Sequence, residues 1–218
     1  MAIMLDQPTL QGRYVQLVPL DVRHLDGLLA AATEERSSYG YTLVPEDRVA
    51  MEAYVIKAEA HRQAGSQVPF AIINCAPDGS NAPRIVGSTR FYNIETWDWS
   101  TTIGNRTGYE PAGPDVTYIG HTWLAPSVQR TPVNTEAKLL LLTHAFEVWG
   151  TRVVRIQTDA RNRQSRRAIE RLGCSLDGIL RAERPATDGK ERDTAVYSMV
   201  ADEWPARRQR LAERLVQS

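Results

Sequence analysis

The chain has 218 residues, 42% hydrophobic and 24% charged, a balance that fits a globular protein and excludes a disordered or membrane class. Its 26 Lys and Arg match its 26 Asp and Glu, so no global basic field marks a nucleic-acid binder. Cys75 and Cys174 lie far apart without metal-ligand neighbours, and no stretch reaches the roughly 18–20 apolar residues of a membrane helix; a reduced, cytoplasmic protein with no metal is expected.

In chain order, residues 10–20 (Leu10-Gln-Gly-Arg-Tyr-Val-Gln-Leu-Val-Pro-Leu20) predict a first strand after Gly12, carried by Val15, Leu17 and Val18. Asp21 caps a helix whose Leu25, Leu28, Leu29 and Ala32 recur at helical spacing and which ends near Thr33. A second helix follows Pro45, with Val49, Ala53 and Ile56 as its apolar stripe and Gly65 as its end. Residues 67–74 and 83–92 read as a hairpin around the turn Pro77-Asp78-Gly79. From Asn93 to Asp115 the chain carries Trp97, Trp99, glycines and prolines without periodicity, a long irregular loop.

The stretch that organises the chain runs from Tyr118 to Phe146. A short apolar strand gives way at Ala125-Pro126 to a polar loop, and the loop feeds a long apolar helix. A helix start aimed at a strand end presents unpaired N–H groups and a positive dipole end, which suits a phosphate. Thr131-Pro132 is equally a sound cap and first-turn pair that starts a helix with no ligand. Residues 152–158 then form a strand, Asn162 caps a short helix ending at Gly173, and residues 174–181 and 194–200 flank the Asp188-Gly189 turn. Glu203-Trp204-Pro205 opens a terminal helix with Leu211 and Leu215 on one side.

This order, with the passages Leu10–Leu20, Trp123-Leu-Ala-Pro126, Asn134-Thr-Glu-Ala-Lys138, Asn162-x-x-Ser165, Leu172-Gly173 and Asp177-Gly-Ile-Leu-Arg181, resembles the GCN5-related N-acetyltransferase (GNAT) family, in its ribosomal-protein-alanine (RimJ/RimL-like) branch. The resemblance covers nearly the whole chain. It implies one α+β domain over residues 1–218, closing on a hairpin and a helix: a mixed, mostly antiparallel sheet flanked by helices and splayed between the family's fourth and fifth strands, with acetyl-CoA wedged in the splay. The implied activity is direct, metal-free acetyl transfer to an amine, a protein N-terminus or a small molecule. Nucleic acid and membrane are not expected as partners, and a homodimer is admitted. The rival reading is a degenerate member that binds a CoA-type ligand or dimerises without catalysis.

The family's pyrophosphate loop, Gln/Arg-x-x-Gly-x-Gly/Ala, falls on Gln129, Arg130, Thr131, Pro132, Val133 and Asn134, where both small residues are absent and Pro132 removes an N–H donor. The resemblance puts the carbonyl-polarising backbone within His121 to Leu124, so that Trp123 and Leu124 join the cofactor residues. It puts Asn162 on the pantetheine arm and Ser165 near the sulfur as a general acid; the alternative is that Asn162 only caps its helix. Relatives often carry a glutamate where Tyr118 stands. His121, Glu95 and Asp115 are the remaining candidates for a base, beside a water relay. Trp97, Trp99, Tyr92 and Tyr109 either wall an acceptor pocket or anchor a loop. The run Arg161, Arg163, Arg166, Arg167 either attracts a CoA phosphate or is a solvated helix face.

Overall fold

The computed structural model describes residues 5–75, 82–99 and 113–216; the turn expected at Pro77–Gly79 and most of the aromatic loop, Tyr109 included, lie outside the described residues. The strands are β1 (Leu10–Gln11), β2 (Val15–Pro19), β3 (Gln67–Asn74), β4 (Arg84–Glu95), β5 (Val116–Leu124), β6 (Val153–Asp159), β7 (Ser175–Pro185) and β8 (Glu191–Val200). They form one 8-stranded sheet in the order β1-β2-β3-β4-β5-β6-β8-β7. Neighbours pair antiparallel except β5 and β6, which are parallel. The expected mixed, mostly antiparallel sheet is therefore present.

Among the described residues, five α-helices flank the sheet: α1 (Leu25–Thr33), α2 (Arg48–Gln63), α3 (Pro132–Thr143), α4 (Arg163–Leu172) and α5 (Trp204–Val216). Successive residues of β4 show which face each helix covers. Ser88 Oγ accepts from Tyr54 of α2 at 3.1 Å, whereas Thr89 accepts from Lys138 of α3 at 3.3 Å. Side chains alternate along a strand, so α2 and α3 lie on opposite faces. The core fills both layers, from Val15, Leu17 and Phe70 to Leu141, Tyr197 and Met199.

Local chemistry places most boundaries where the sequence put them. Asp21 accepts from Arg23 N at the first helix, and Gly173 closes α4 with a φ of 95°. The stripe on α2 is a correction. Val49 and Ile56 are exposed, and the buried residues are Met51, Val55 and Ala58. Both sets obey the helical period; period identifies a helix without choosing between two apolar stripes. The second helix also starts later than Pro45, at the Asp47 cap, whose side chain accepts from Ala50 N. The long helix of the organising stretch is α-helical to Thr143 and widens into a π turn over His144–Val148.

The buried carboxylate of Glu136 accepts from Arg13 N, Tyr14 N and Val15 N at 2.9, 2.6 and 2.8 Å. It ties α3 to the start of β2. The tie explains Gly12: a Cβ there would meet the Glu136 carboxyl at 2.4 Å.

A splayed sheet and its candidate active site

The parallel pairing of β5 and β6 covers only Val116–Tyr118 against Val153–Arg155. Beyond it β5 continues to Leu124 and β6 to Asp159 with no ladder bonds between them. The two strands part, and their facing edges offer backbone N–H and C=O groups that the sheet does not use. This is the splay the resemblance implies.

A bulge sits on the open edge. On β4, Ser88 pairs with Trp123 and Arg90 with Gly120, so His121 and Thr122 together oppose Thr89. His121 takes a φ of 49°, a left-handed conformation that a non-glycine residue adopts at some cost. The bulge is pinned from the α3 face: Lys138 Nζ donates to Thr122 Oγ1 at 2.7 Å and to Thr89 Oγ1 at 3.3 Å. Burial pushes the Lys138 pKa down to about 7. Sequence reasoning missed this lysine, which lies inside a helix otherwise read as apolar core.

On the α2 face the His121 ring meets Tyr92 edge-on at 5.0 Å, and Tyr92 lies 5.3 Å from Tyr118. Gly120 gives this cluster its room, since a Cβ would sit 2.7 Å from the Tyr92 ring. His121 keeps an exposed edge, yet the surrounding protein and the charges of Arg90 and Arg184 push its pKa down to about 4. Its imidazole is neutral at pH 7. Burial pushes the Tyr92 hydroxyl up to about 12.

At the end of β5 the polar groups are largely spent inside the protein. The Leu124 carbonyl accepts from Tyr39 Oη and from Gln129 Nε2, each at 3.1 Å, and Gln129 also donates to Ser38 Oγ at 3.0 Å. Trp123 packs edge-on against Tyr39 at 6.4 Å. Arg130 is exposed with a φ of 62°. Thr131 caps α3, donating to Val128 O at 2.7 Å and accepting from Val133 N at 3.4 Å. Pro132 lacks an N–H, so the first turn of α3 has one free donor fewer than another residue there would leave.

Across the splay, Asn162 Oδ1 accepts from Ser165 N at 3.0 Å, so the side-chain oxygen acts as a cap while Ser165 sits half-buried in the first turn of α4. The arginine run divides. Arg161 pairs with Asp159 and Asp188, Arg166 donates to Tyr197 Oη, and Arg163 and Arg167 are exposed.

Two base candidates are not brought to the site. Asp115 is buried and accepts from Trp97 N, Trp99 Nε1 and Arg152 Nε, so it anchors the aromatic segment. Glu95 is exposed opposite Val116, at the closed end of the splay. Five residues separate it from Arg90 beside the bulge, about 16 Å along a strand. A period-2 pattern cannot reveal such a distance. Among the described residues, no group of three or more His, Cys, Asp or Glu is placed to hold a metal ion, and no helix is long and apolar enough to cross a membrane.

Comparison with known proteins agrees with this architecture. The sequence profile of the acetyltransferase (GNAT) domain family matches residues 15–175. Among solved structures, a GCN5-related N-acetyltransferase from Brucella melitensis is 28% identical, with a TM-score of 0.80 over 98% of this chain and 87% of that one. Mycobacterium smegmatis RimJ, solved with a CoA disulfide, is 19% identical over 95% of this chain and 93% of its own, at a TM-score of 0.73. RimL, the ribosomal L7/L12 α-N-protein acetyltransferase solved with coenzyme A, is 18% identical over 89% and 99%, at 0.68. No curated protein matches the sequence.

Proposed function

The chain belongs to the GNAT acetyltransferase family, and on that premise we propose that it uses acetyl-CoA to acetylate the primary amine of a protein N-terminus or a small molecule, in the cytoplasm, as a single domain that can form a homodimer. It is an N-acetyltransferase, and the degenerate reading is not favoured. The observation that carries the cofactor is the unused edge of β5 beyond Tyr118, set between the starts of α3 and α4. The residues present fit CoA. Asn134 offers an N–H at the start of α3, Arg130 reaches solvent beside it, and Asn162 and Ser165 line the opposite strand end. Trp123, Leu124, Gln129, Thr131 and Val133 shape the wall and fix the turn.

Acetyl-CoA supplies a thioester carbonyl. Acetyl transfer forms an N–C bond, breaks the C–S bond and moves one proton from nitrogen to sulfur. The chain's own groups meet those needs. Backbone donors of the bulge between His121 and Leu124 polarise the carbonyl, held in place by the Lys138–Thr122 bond. His121 is neutral at pH 7 and is the acceptor nearest the bulge for the amine proton, and the Ser165 hydroxyl supplies a proton to the sulfur.

The experiment is release of free CoA thiol from acetyl-CoA, with and without a panel of amines. Amine-dependent thiol release with a matching acetylated product is expected. No detectable binding of acetyl-CoA at millimolar concentration, or thiol release with no amine tried, would overturn the reading.

A further inference from the structure

Among the described residues, the α2 face of the splay holds guanidinium nitrogens that the fold leaves without partners. Arg90 on β4 is only 4% exposed, stacks its guanidinium 4.9 Å over the Tyr54 ring and donates Nη1 to Gln67 Oε1 at 2.8 Å. Its Nε and Nη2 are buried with no partner among the described residues. Arg192 on β8 likewise has a buried, unpartnered Nε and stands directly across the ladder from Arg184. Like charges facing each other on neighbouring strands destabilise a sheet. A buried guanidinium with open donors costs more still, unless something arrives to fill them.

The ladders bring these groups to the mouth of the splay: Arg90 pairs opposite Gly120, next to His121, and across the gap Arg184 Nη2 donates to Gln157 Oε1 at 3.5 Å, two residues beyond the Arg155–Tyr118 pair. Arg155 adds its guanidinium 5.7 Å from the Tyr118 ring centre. Among the described residues, Glu183 beside Arg184 is already engaged by Arg184 Nε at 2.6 Å and by Thr194 Oγ1 at 2.8 Å. Asp159 is engaged by Arg161. The tip of the β7–β8 hairpin is tied to the connection between α1 and α2, Thr187 Oγ1 donating to Gly40 O at 2.8 Å.

We propose that the acceptor amine carries a carboxylate, which the open donors of Arg90 and Arg192 hold beside His121, so that the enzyme selects acidic amines over their neutral isosteres. This rests on the acetyltransferase reading of the same site. A carboxylate can accept two parallel bonds from a guanidinium, which also fixes the orientation of the amine next to it. The cationic surround disfavours a bare ammonium substrate and favours one whose second group neutralises the pocket.

The test uses the intact protein and acetyl-CoA, with thiol release read for matched pairs: glutamate against glutamine, and N-terminal Asp peptides against the corresponding Asn peptides. The free amino acids and the peptides separate a small acceptor from a protein N-terminus. The acidic member of at least one pair should be preferred roughly ten-fold or more in kcat/KM, the worth of a charge-assisted bond pair. That preference should shrink in Arg192→Gln and in Arg90→Met, with the fold of each checked by thermal melting. Equal or better turnover of the neutral members, or an acid preference untouched in both variants, would overturn the proposal. If acetyl-CoA binds and neutral amines alone react, only the acidic acceptor fails; if acetyl-CoA does not bind, the acetyltransferase reading fails with it.

Discussion

The first turn of α3 and the floor beneath α2 are both crowded with polar groups, and they differ in how those groups are used. At the α3 start nearly every donor is answered within the protein: Gln129 by Leu124 and Ser38, Thr131 by Val128, Val133 by Thr131. On the opposite face, Arg90 under Tyr54 of α2 and Arg192 on β8 keep buried nitrogens without partners among the described residues. A region that satisfies itself is stable before any ligand comes and gains little from one. A region holding open donors carries a cost that a ligand removes, and it gains specificity in exchange. The loop that looks most like a binding motif in sequence is thus the quieter of the two in structure.

The sharpest test of the committed side is Glu136→Ala. Three N–H groups lose their acceptor, a cost of about 3 kcal/mol, and the melting temperature should fall by roughly 6–12 °C for a chain of this size. A fall under about 2 °C, again on that size scaling, would show that β2 is not held by this carboxylate. Next in size, Ser165→Ala should lower kcat by about ten-fold or more while leaving KM nearly unchanged, as expected for a proton donor. Wild-type turnover would remove the hydroxyl from the chemistry.

Lys138 lies between the two regions and makes a pH prediction. Its folded pKa of about 7 lies below its ordinary 10.5. Between those values the unfolded chain holds the proton that the folded chain has lost, so the stability contributed at this site rises with pH across the window and is lowest below about pH 7. Lys138→Met should therefore be most favourable, relative to wild type, near pH 6, with the difference in melting temperature moving toward wild type by pH 10. A difference independent of pH would mean that the ammonium is not desolvated. The smallest effect belongs to Pro132→Gly. An added N–H and a freer backbone should tighten CoA binding by roughly two- to five-fold, at a cost of about 1 kcal/mol in stability. Unchanged or weaker affinity would show that the turn seats phosphate through other groups.

How much of this was legible in the sequence follows the range of each signal. Asp21, Asn162 and Gly173 act on residues within a turn of themselves, and the elements they cap appear where the sequence put them. The strand, loop and helix from Tyr118 onward were legible for the same reason. The buried face of α2 was not, because choosing Met51, Val55 and Ala58 over Val49 and Ile56 depends on which side the sheet occupies. Asp115 reads as a spare carboxylate until Trp97, Trp99 and Arg152 arrive from other parts of the chain to use it. Lys138 and Arg90 gave no sequence signal at all. Their meaning lies in what does or does not surround them, across separations of 49 and 23 residues to Thr89 and Gln67.

The central claim is that the splay between β5 and β6 is the acetyl-CoA groove, and amide hydrogen exchange with and without acetyl-CoA tests it most directly. Protection is predicted at residues 119–124 on the open edge of β5, with smaller gains at the first turns of α3 and α4 and none on β1 or β2. Saturating acetyl-CoA that leaves residues 119–124 exchanging as in the free protein, or that protects only some other surface, would contradict the account.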